Sequence, residues 1–292
     1  MRSKALVAMV SVLCGAVGHA QTPDVKIRTD LRLHYRSERG GDSSLRWYDP
    51  VGRHSVVSVE FGLEPGFRAF VSERLQKIRG NSDNEQLDEY FVEDPGLWRV
   101  GKQYMPFGRQ KIVNEAARGA RGDSNLIFEH LPISAAIADN GNGRTRGVIG
   151  RIGGRLGVSV AYGNHFGAQS TSLVGVRRPE DANGLGKGYR VVVGADYSRK
   201  FGEILFEVEG AVFRRGQTAS DLDREVSDIS IGYAPIKEVA VSIGWARDWS
   251  QRSNMFRAEG RLEVYKNVFV EPLVRFRDSE LFDAGISVRV RM

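Results

Sequence analysis

Apolar and polar positions alternate along most of this chain. Val25, Ile27, Leu31, Leu33 and Tyr35 stand against Lys26, Arg28, Asp30, Arg32, His34 and Arg36. Val57, Val59, Phe61 and Leu63 stand against Ser58, Glu60 and Gly62. The pattern returns at Leu156–Gly163, Tyr189–Ser198, Ile204–Val212, Val239–Trp245, Phe256–Val264 and Val268–Arg277. It is cleanest at the end, where Phe282, Ala284, Ile286, Val288 and Val290 face away from Asp283, Gly285, Ser287, Arg289 and Arg291. Successive strand side chains point to opposite sides of a sheet. Period two over runs of about ten residues therefore predicts strands, each with one apolar and one charged face.

The connections also alternate, short then long. Glu64-Pro65-Gly66, Asp94-Pro95-Gly96, Gly153-Gly154, Lys200-Phe201-Gly202, Pro235-Ile236-Lys237 and Lys266-Asn267 are short, and several carry tight-turn residues. Longer segments fall between them at 38–53, 78–86, 105–145, 165–187, 215–223, 250–253 and 278–280. This spacing predicts about fourteen strands, or sixteen if Leu126–Ala138 adds a hairpin. An even number puts both termini on one side.

The N-terminus reads as a signal peptide over residues 1–20. Arg2 and Lys4 precede an apolar stretch from Ala5 to Leu13, and Gly18-His19-Ala20 supplies small residues at a cleavage site after Ala20. A lipid anchor on Cys14 is the competing reading, disfavoured by bulky Leu13 before it. Residues 21–292 then form a single domain. Cys14 is the one cysteine, so cleavage leaves no disulfide and no thiolate ligand or nucleophile. The formal charge of +6 becomes +4 once Arg2 and Lys4 are removed, too mild to suggest a nucleic-acid partner.

Mean hydropathy is −0.32, and no stretch after the signal is long and apolar enough for a spanning helix. A closed β-barrel is the other spanning solution. Short turns on one rim, long loops on the other and strands near bilayer-crossing length fit it. So do aromatics at strand ends: Trp47, Tyr48, Trp98, Tyr104, Tyr162, Tyr197, Trp245, Trp249 and Tyr265. The expected fold is all-β, a transmembrane antiparallel barrel in the bacterial outer membrane, with its apolar face toward lipid. Asp283-x-Gly285-x-x-Val288-x-Val290 resembles the terminal signal read by barrel-assembly machinery, with Arg291-Met292 where an aromatic usually stands. The last strand should close against the first. Two residues fit poorly. Pro272 cannot donate to a ladder and predicts a bulge. Glu73 follows a lipid-facing row and should reach the headgroups.

Residues 105–145 read as one very long third loop, a length usually associated with function or disorder. The segment before it, Tyr90-Phe-Val…Pro95-Gly-Leu-Trp-Arg-Val-Gly-Lys-Gln-Tyr-Met-Pro-Phe-Gly108, resembles the strand-turn-strand before the third loop of bacterial porins of the phosphate-selective type. The resemblance covers about twenty residues; elsewhere it is one of architecture, and this chain is shorter than such porins. It implies a third loop folded into the lumen. Arg109, Lys111, Glu115, Arg118 and Arg121 are then the constriction candidates. Inward-facing Arg28, Arg32, Arg68, Arg99, Arg190, Arg257, Arg261, Arg275 and Arg289 are the lumen-lining candidates. Rings of arginine favour anions in a pore. The alternative is that these charges pair across neighbouring strands and merely solvate the wall.

Enzyme readings are weak: His54-Ser55 and His165 are isolated, and no Ser/His/acid set is marked by spacing. Asp139-Asn-Gly-Asn-Gly143 has oxygen ligands at alternate positions but fits a plain turn better than a calcium loop. Gly150-Arg-Ile-Gly-Gly-Arg155 lacks the strand-loop-helix context of a phosphate cradle. The sequence thus points to a passive channel for small hydrophilic or anionic solutes, monomeric or trimeric, with no cofactor, no metal and no covalent chemistry. The alternative is a non-conducting barrel serving as anchor, receptor or adhesin. Glycine, serine and alanine recur at inward positions, including Gly101, Gly157, Gly194, Gly244 and Gly285, and favour an open lumen.

Overall fold

A computed structural model describes residues 24–38, 43–47, 54–63, 66–75, 87–113, 116–124, 131–139, 146–166, 189–216 and 223–292. The expected signal segment, Glu115 and the Asn140–Gly143 turn lie outside these residues.

The strands are β1 (Val25–Glu38), β2 (Ser43–Arg46), β3 (Val56–Gly62), β4 (Arg68–Arg74), β5 (Leu87–Asp94), β6 (Trp98–Tyr104), β7 (Ala116–Ser124), β8 (Ile133–Asp139) and β9 (Arg146–Gly153). They continue with β10 (Leu156–Phe166), β11 (Tyr189–Phe201), β12 (Ile204–Gly216), β13 (Arg224–Ile236), β14 (Val239–Asp248), β15 (Ser253–Tyr265), β16 (Val268–Arg277) and β17 (Glu280–Arg291). All pairings are antiparallel between chain neighbours, and β1 returns to β17.

The barrel is closed and has sixteen staves, because β2 and β3 are two halves of one stave. β2 pairs with His34–Ser37 of β1 and β3 with Val25–Asp30. The two halves meet where Ser55 N–H donates to Trp47 O at 2.9 Å. The ladder would leave Arg32 without partners at this gap. Instead the fully buried Ser55 hydroxyl accepts from Arg32 N–H at 2.7 Å and donates to Arg32 O at 2.8 Å. A side chain thus replaces the missing backbone partner.

Closure follows the expected register. Leu31, Leu33 and Tyr35 of β1 face Val290, Val288 and Ile286. Arg32 stands opposite Arg289, and Glu271 lies between them, 3.0 Å from the first and 3.3 Å from the second. Asp30 accepts from Arg289 Nε at 2.6 Å. Thr29 and Met292 exchange both backbone hydrogen bonds, at 2.8 and 2.9 Å.

The apolar face is outside. Ile137, Val158, Val160, Ile243 and Val288 are exposed, whereas Asp196, Glu209, Asp228, Arg275 and Asp283 are buried inside. That is the reverse of a soluble barrel and the arrangement of a membrane one.

Three expectations are corrected. Residues 105–145 are not one loop: β7 and β8 occupy 116–124 and 133–139, which leaves 105–115 as the third long connection. Phe282 does not face lipid. The register shifts there, so that Arg275 faces Asp283 while Phe276 faces Leu281, and Phe282 is the extra residue. Its ring turns inward beneath the guanidinium groups of Arg277, Arg275 and Arg36, at 4.2, 5.1 and 5.8 Å. Pro272 carries no bulge. It keeps register with Ile286, and the β15 ladder simply lacks pairs between Leu273 and Val270. Gly260 makes this possible: a Cβ there would stand 3.0 Å from the Pro272 ring.

Candidate functional site: the third loop

β6 ends at Tyr104 and β7 begins at Ala116. Between them, Met105, Phe107, Ile112 and Val113 are essentially fully buried. They pack with Ala136, Ala138, Ile149, Ala161, Val192, Ala211, Phe213, Val226, Ala246 and Met255, inward residues of β8 to β15. The barrel therefore holds an apolar core on its inside. Burying such side chains contributes about 1.5–3 kcal/mol each, enough to draw the loop away from solvent. Small wall residues make room: a Cβ on Gly194 would stand 2.8 Å from the Phe107 ring.

Polar contacts then fix the loop. Gly108 (φ 51°) and Gln110 (φ 60°) adopt left-handed conformations, which turn successive N–H groups to one side. Arg109 N–H and Lys111 N–H donate to Glu209 Oε2 at 2.8 and 3.1 Å, and Ile112 N–H to Oε1 at 3.4 Å. Gly108 cannot be another residue without loss, since its Cβ would strike this carboxylate. Gly108 N–H also donates to Ser159 Oγ at 2.9 Å.

Two side chains complete the attachment. Arg109 Nε donates to Asp196 at 2.9 Å, and Arg109 Nη2 to Gly154 O at 2.6 Å. Asp196 has a second arginine, Arg151, at 2.6 Å. Lys111 Nζ lies 2.8 Å from Glu207 and bonds the Ser230 hydroxyl. Arg257 holds the neighbouring Asp228 with both terminal nitrogens, at 2.8 and 3.0 Å. The loop thus crosses the interior from β6 to the wall formed by β10, β11, β12 and β13.

The constriction candidates divide. Arg109 and Lys111 belong to this attachment. Arg121 is inward on β7 but paired with Asp123 at 2.8 Å, in the wall rather than the loop. Arg118 is a correction. It alternates with inward Ala117 and Gly119, so it is exposed on the outward face, where its Nε donates to Tyr90 Oη at 2.7 Å.

Most lumen-lining candidates are ion-paired. Arg28 faces Glu60 at 3.6 Å, Arg32 faces Glu271, and Arg68 and Arg99 share Glu93, the latter at 2.7 Å. Arg257 holds Asp228, Arg275 holds Asp283 with Nε at 2.8 Å, and Arg289 holds Asp30 and Glu271. Arg261 makes no ion pair among the described residues; it lies over the Phe269 ring at 5.8 Å and reaches Lys237 O at 3.4 Å. Arg190 stands in β11, its side chain outside the described set.

Inward glycines prove to be seats for neighbouring side chains rather than open wall. Cβ atoms on Gly157, Gly244 and Gly285 would meet Asp196 at 2.7 Å, Arg257 at 2.6 Å and His34 at 2.5 Å. The sequence reading missed Arg151 and the apolar loop residues. The Met105-Pro-Phe107 and Ile112-Val113 pairs, apolar islands between charges, were the available signal.

No protein-family model matches the sequence, and no curated protein matches it. Solved structures do match in fold. A loop-deleted form of OmpT, an outer membrane protein of Vibrio cholerae, is 12% identical with a TM-score of 0.61, covering 93% of this chain and 100% of that one. The outer membrane channel DcaP of Acinetobacter baumannii is 8% identical with a TM-score of 0.61, covering 94% and 100%. The anion-selective porin from Comamonas acidovorans is 12% identical with a TM-score of 0.54, covering 92% and 99%. These matches cover nearly the whole chain, and the chain has the fold of these outer-membrane proteins: a closed antiparallel barrel of sixteen staves with its apolar face outward.

Proposed function

We infer that this barrel is a passive diffusion channel for small hydrophilic solutes. The carrying observation is the fixed attachment of the third loop: the Glu209 carboxylate holds three loop N–H groups while Arg109 reaches Asp196. A loop held at several points across a barrel works as a stationary sieve, excluding solutes by size and by the field of the remaining lumen. A channel of this kind does no covalent chemistry and needs no cofactor.

A weak anion preference belongs to this reading. The loop cations are neutralised by Asp196 and Glu207, so they do not set the sign. Wall residues away from the attachment support it better: Arg28 of β1 is largely exposed beside Glu60, and Arg261 of β15 has no ion pair among the described residues. Planar-bilayer recording tests both parts. Single-channel steps from folded protein and a reversal potential of anion sign in a salt gradient are the expected result. Cation preference would remove the selectivity claim alone.

A closed barrel acting as an anchor or receptor has one observation in its favour. Arg32, His34 and Arg275, all inward, are only 1–2% exposed. Folded protein that gives no conductance steps would establish that second reading over the first.

A further inference from the structure

The lipid-facing surface carries a cleft of about 480 Å³ at the long-loop rim of β14, β15 and β16. Its floor is an aromatic row set by register: Trp245 faces Phe256, and Phe256 faces Phe276. All three point outward, and Phe256 and Phe276 are exposed. One row nearer the rim stand Arg247 and Asn254, directly opposite each other. Arg247 differs from most arginines of this barrel. It makes no ion pair among the described residues and lies over the Trp249 ring at 4.3 Å; its covered Nε has no acceptor. The nearby carboxylate of Asp278 is already taken, by Asn254 N–H at 2.7 Å and the Ser253 hydroxyl at 3.0 Å. The connections at this rim are short, Trp249–Arg252 and Asp278–Ser279, so no long loop of this sector stands over the cleft.

We propose that this cleft binds a membrane lipid with a net-anionic phosphate headgroup: an acyl chain lies on Trp245, Phe256 and Phe276, and the phosphate meets Arg247. A hydrocarbon chain suits a concave aromatic floor inside the apolar band. A guanidinium with no ion pair among the described residues meets the headgroup layer at the rim, where its planar fork matches a phosphate. A second copy of the chain would bring another apolar wall and leave Arg247 without an anion. The proposal is independent of whether the barrel conducts.

The test uses the full chain in vesicles, in a Trp47→Phe, Trp98→Phe background, so that fluorescence comes from Trp245 and Trp249 alone. Bromine-labelled phosphatidylglycerol and bromine-labelled phosphatidylcholine are compared as quenchers at equal mole fraction in unlabelled phosphatidylcholine. The anionic lipid should bind about fivefold more tightly, the enrichment expected of one basic side chain at a membrane surface. Arg247→Gln should bring the ratio to about one, and Arg247→Lys should keep most of it. Phe276→Ala should weaken quenching by both lipids without changing their ratio. High salt should lower the ratio in the unmodified protein, a readout that needs no variant. Equal quenching by the two lipids, or an unchanged ratio in Arg247→Gln, would overturn the proposal. So would self-crosslinking of a Phe256→Cys variant with quenching by neither lipid, which would mark a contact between copies.

Discussion

Arg109 and Asp196 meet inside the barrel at 2.9 Å, although 87 residues separate them along the chain. One stands on the third loop and the other on β11, so their bond ties the loop to a rigid wall. Asp196 is fully buried and also holds Arg151 at 2.6 Å. Asymmetric losses follow. Arg109→Ala leaves Asp196 with Arg151 and removes a partly exposed partner, so it should cost about 1 kcal/mol or less. Asp196→Ala removes the charged acceptor of both arginines at once, leaving them only backbone carbonyls, and should cost about 1.5–3 kcal/mol for each. Denaturant unfolding of the two variants in the same detergent checks this order; equal losses would refute the shared-carboxylate arrangement.

Glu209 acts on the backbone rather than on a side chain. Its carboxylate accepts from Arg109 N–H and Lys111 N–H through the same oxygen. Glu209→Gln keeps the shape but removes the charge and turns part of the acceptor into a donor. Hydrogen bonds to charged groups contribute about 1.5–3 kcal/mol, so the loop should loosen by that order. If the barrel conducts, open-channel current should become noisier and larger on average. A quiet, unchanged current from Glu209→Gln would mean that the loop is held by its apolar residues alone.

Those apolar residues give their own prediction. Phe107 is buried against Gly194, and a Cβ at 194 would sit 2.8 Å from its ring. Phe107→Ala should destabilise the folded barrel by about 3–5 kcal/mol, as for other large-to-small changes in packed sites. Gly194→Val should reach a similar phenotype from the opposite side, by overpacking. Combining Gly194→Val with Phe107→Ala should recover part of the loss. Strictly additive losses in the double variant would show that the two residues do not share one site.

How much of this was legible follows the chemistry of each segment. β17 was readable almost residue by residue, because Ile286, Val288 and Val290 are β-branched and alternate with Ser287, Arg289 and Arg291. Its one error, Phe282, lies at a bulge that period-two counting cannot register. β7 (Ala-Ala-Arg-Gly-Ala-Arg-Gly-Asp-Ser) gave no signal at all, since it has neither β-branched nor aromatic residues. Its small inward residues answer tertiary packing, invisible to local pattern: Ala117 lies in the interior core with the loop, and Gly119 lies tight against the β8 backbone. The loop's attachment was hidden for a related reason. Glu209 lies about a hundred residues from Arg109, and nothing in either segment marks the other. The inward glycines misled more directly. Read as open wall, they turned out to be seats for Phe107, Arg257 and His34.

Arg118 offers the sharpest check on which face of β7 is inside. Ala117 packs in the interior apolar core, and Gly119 faces inward Ala138 across the β7–β8 ladder. Arg118 must therefore point outward, and its bond to Tyr90 Oη lies on the exposed surface. The sole cysteine, Cys14, falls in the expected signal segment, so a cysteine placed in the mature chain should be its one thiol. Arg121→Cys, two positions on from Gly119 along the inward face, should react with a water-soluble, membrane-impermeant thiol reagent through the lumen and, where current flows, reduce it. Arg118→Cys should react with a lipid-partitioning reagent and leave current unchanged, and Arg118→Glu should not alter the reversal potential. Block of current through Arg118→Cys but not through Arg121→Cys would invert the assignment of β7 and, with it, the route of the third loop.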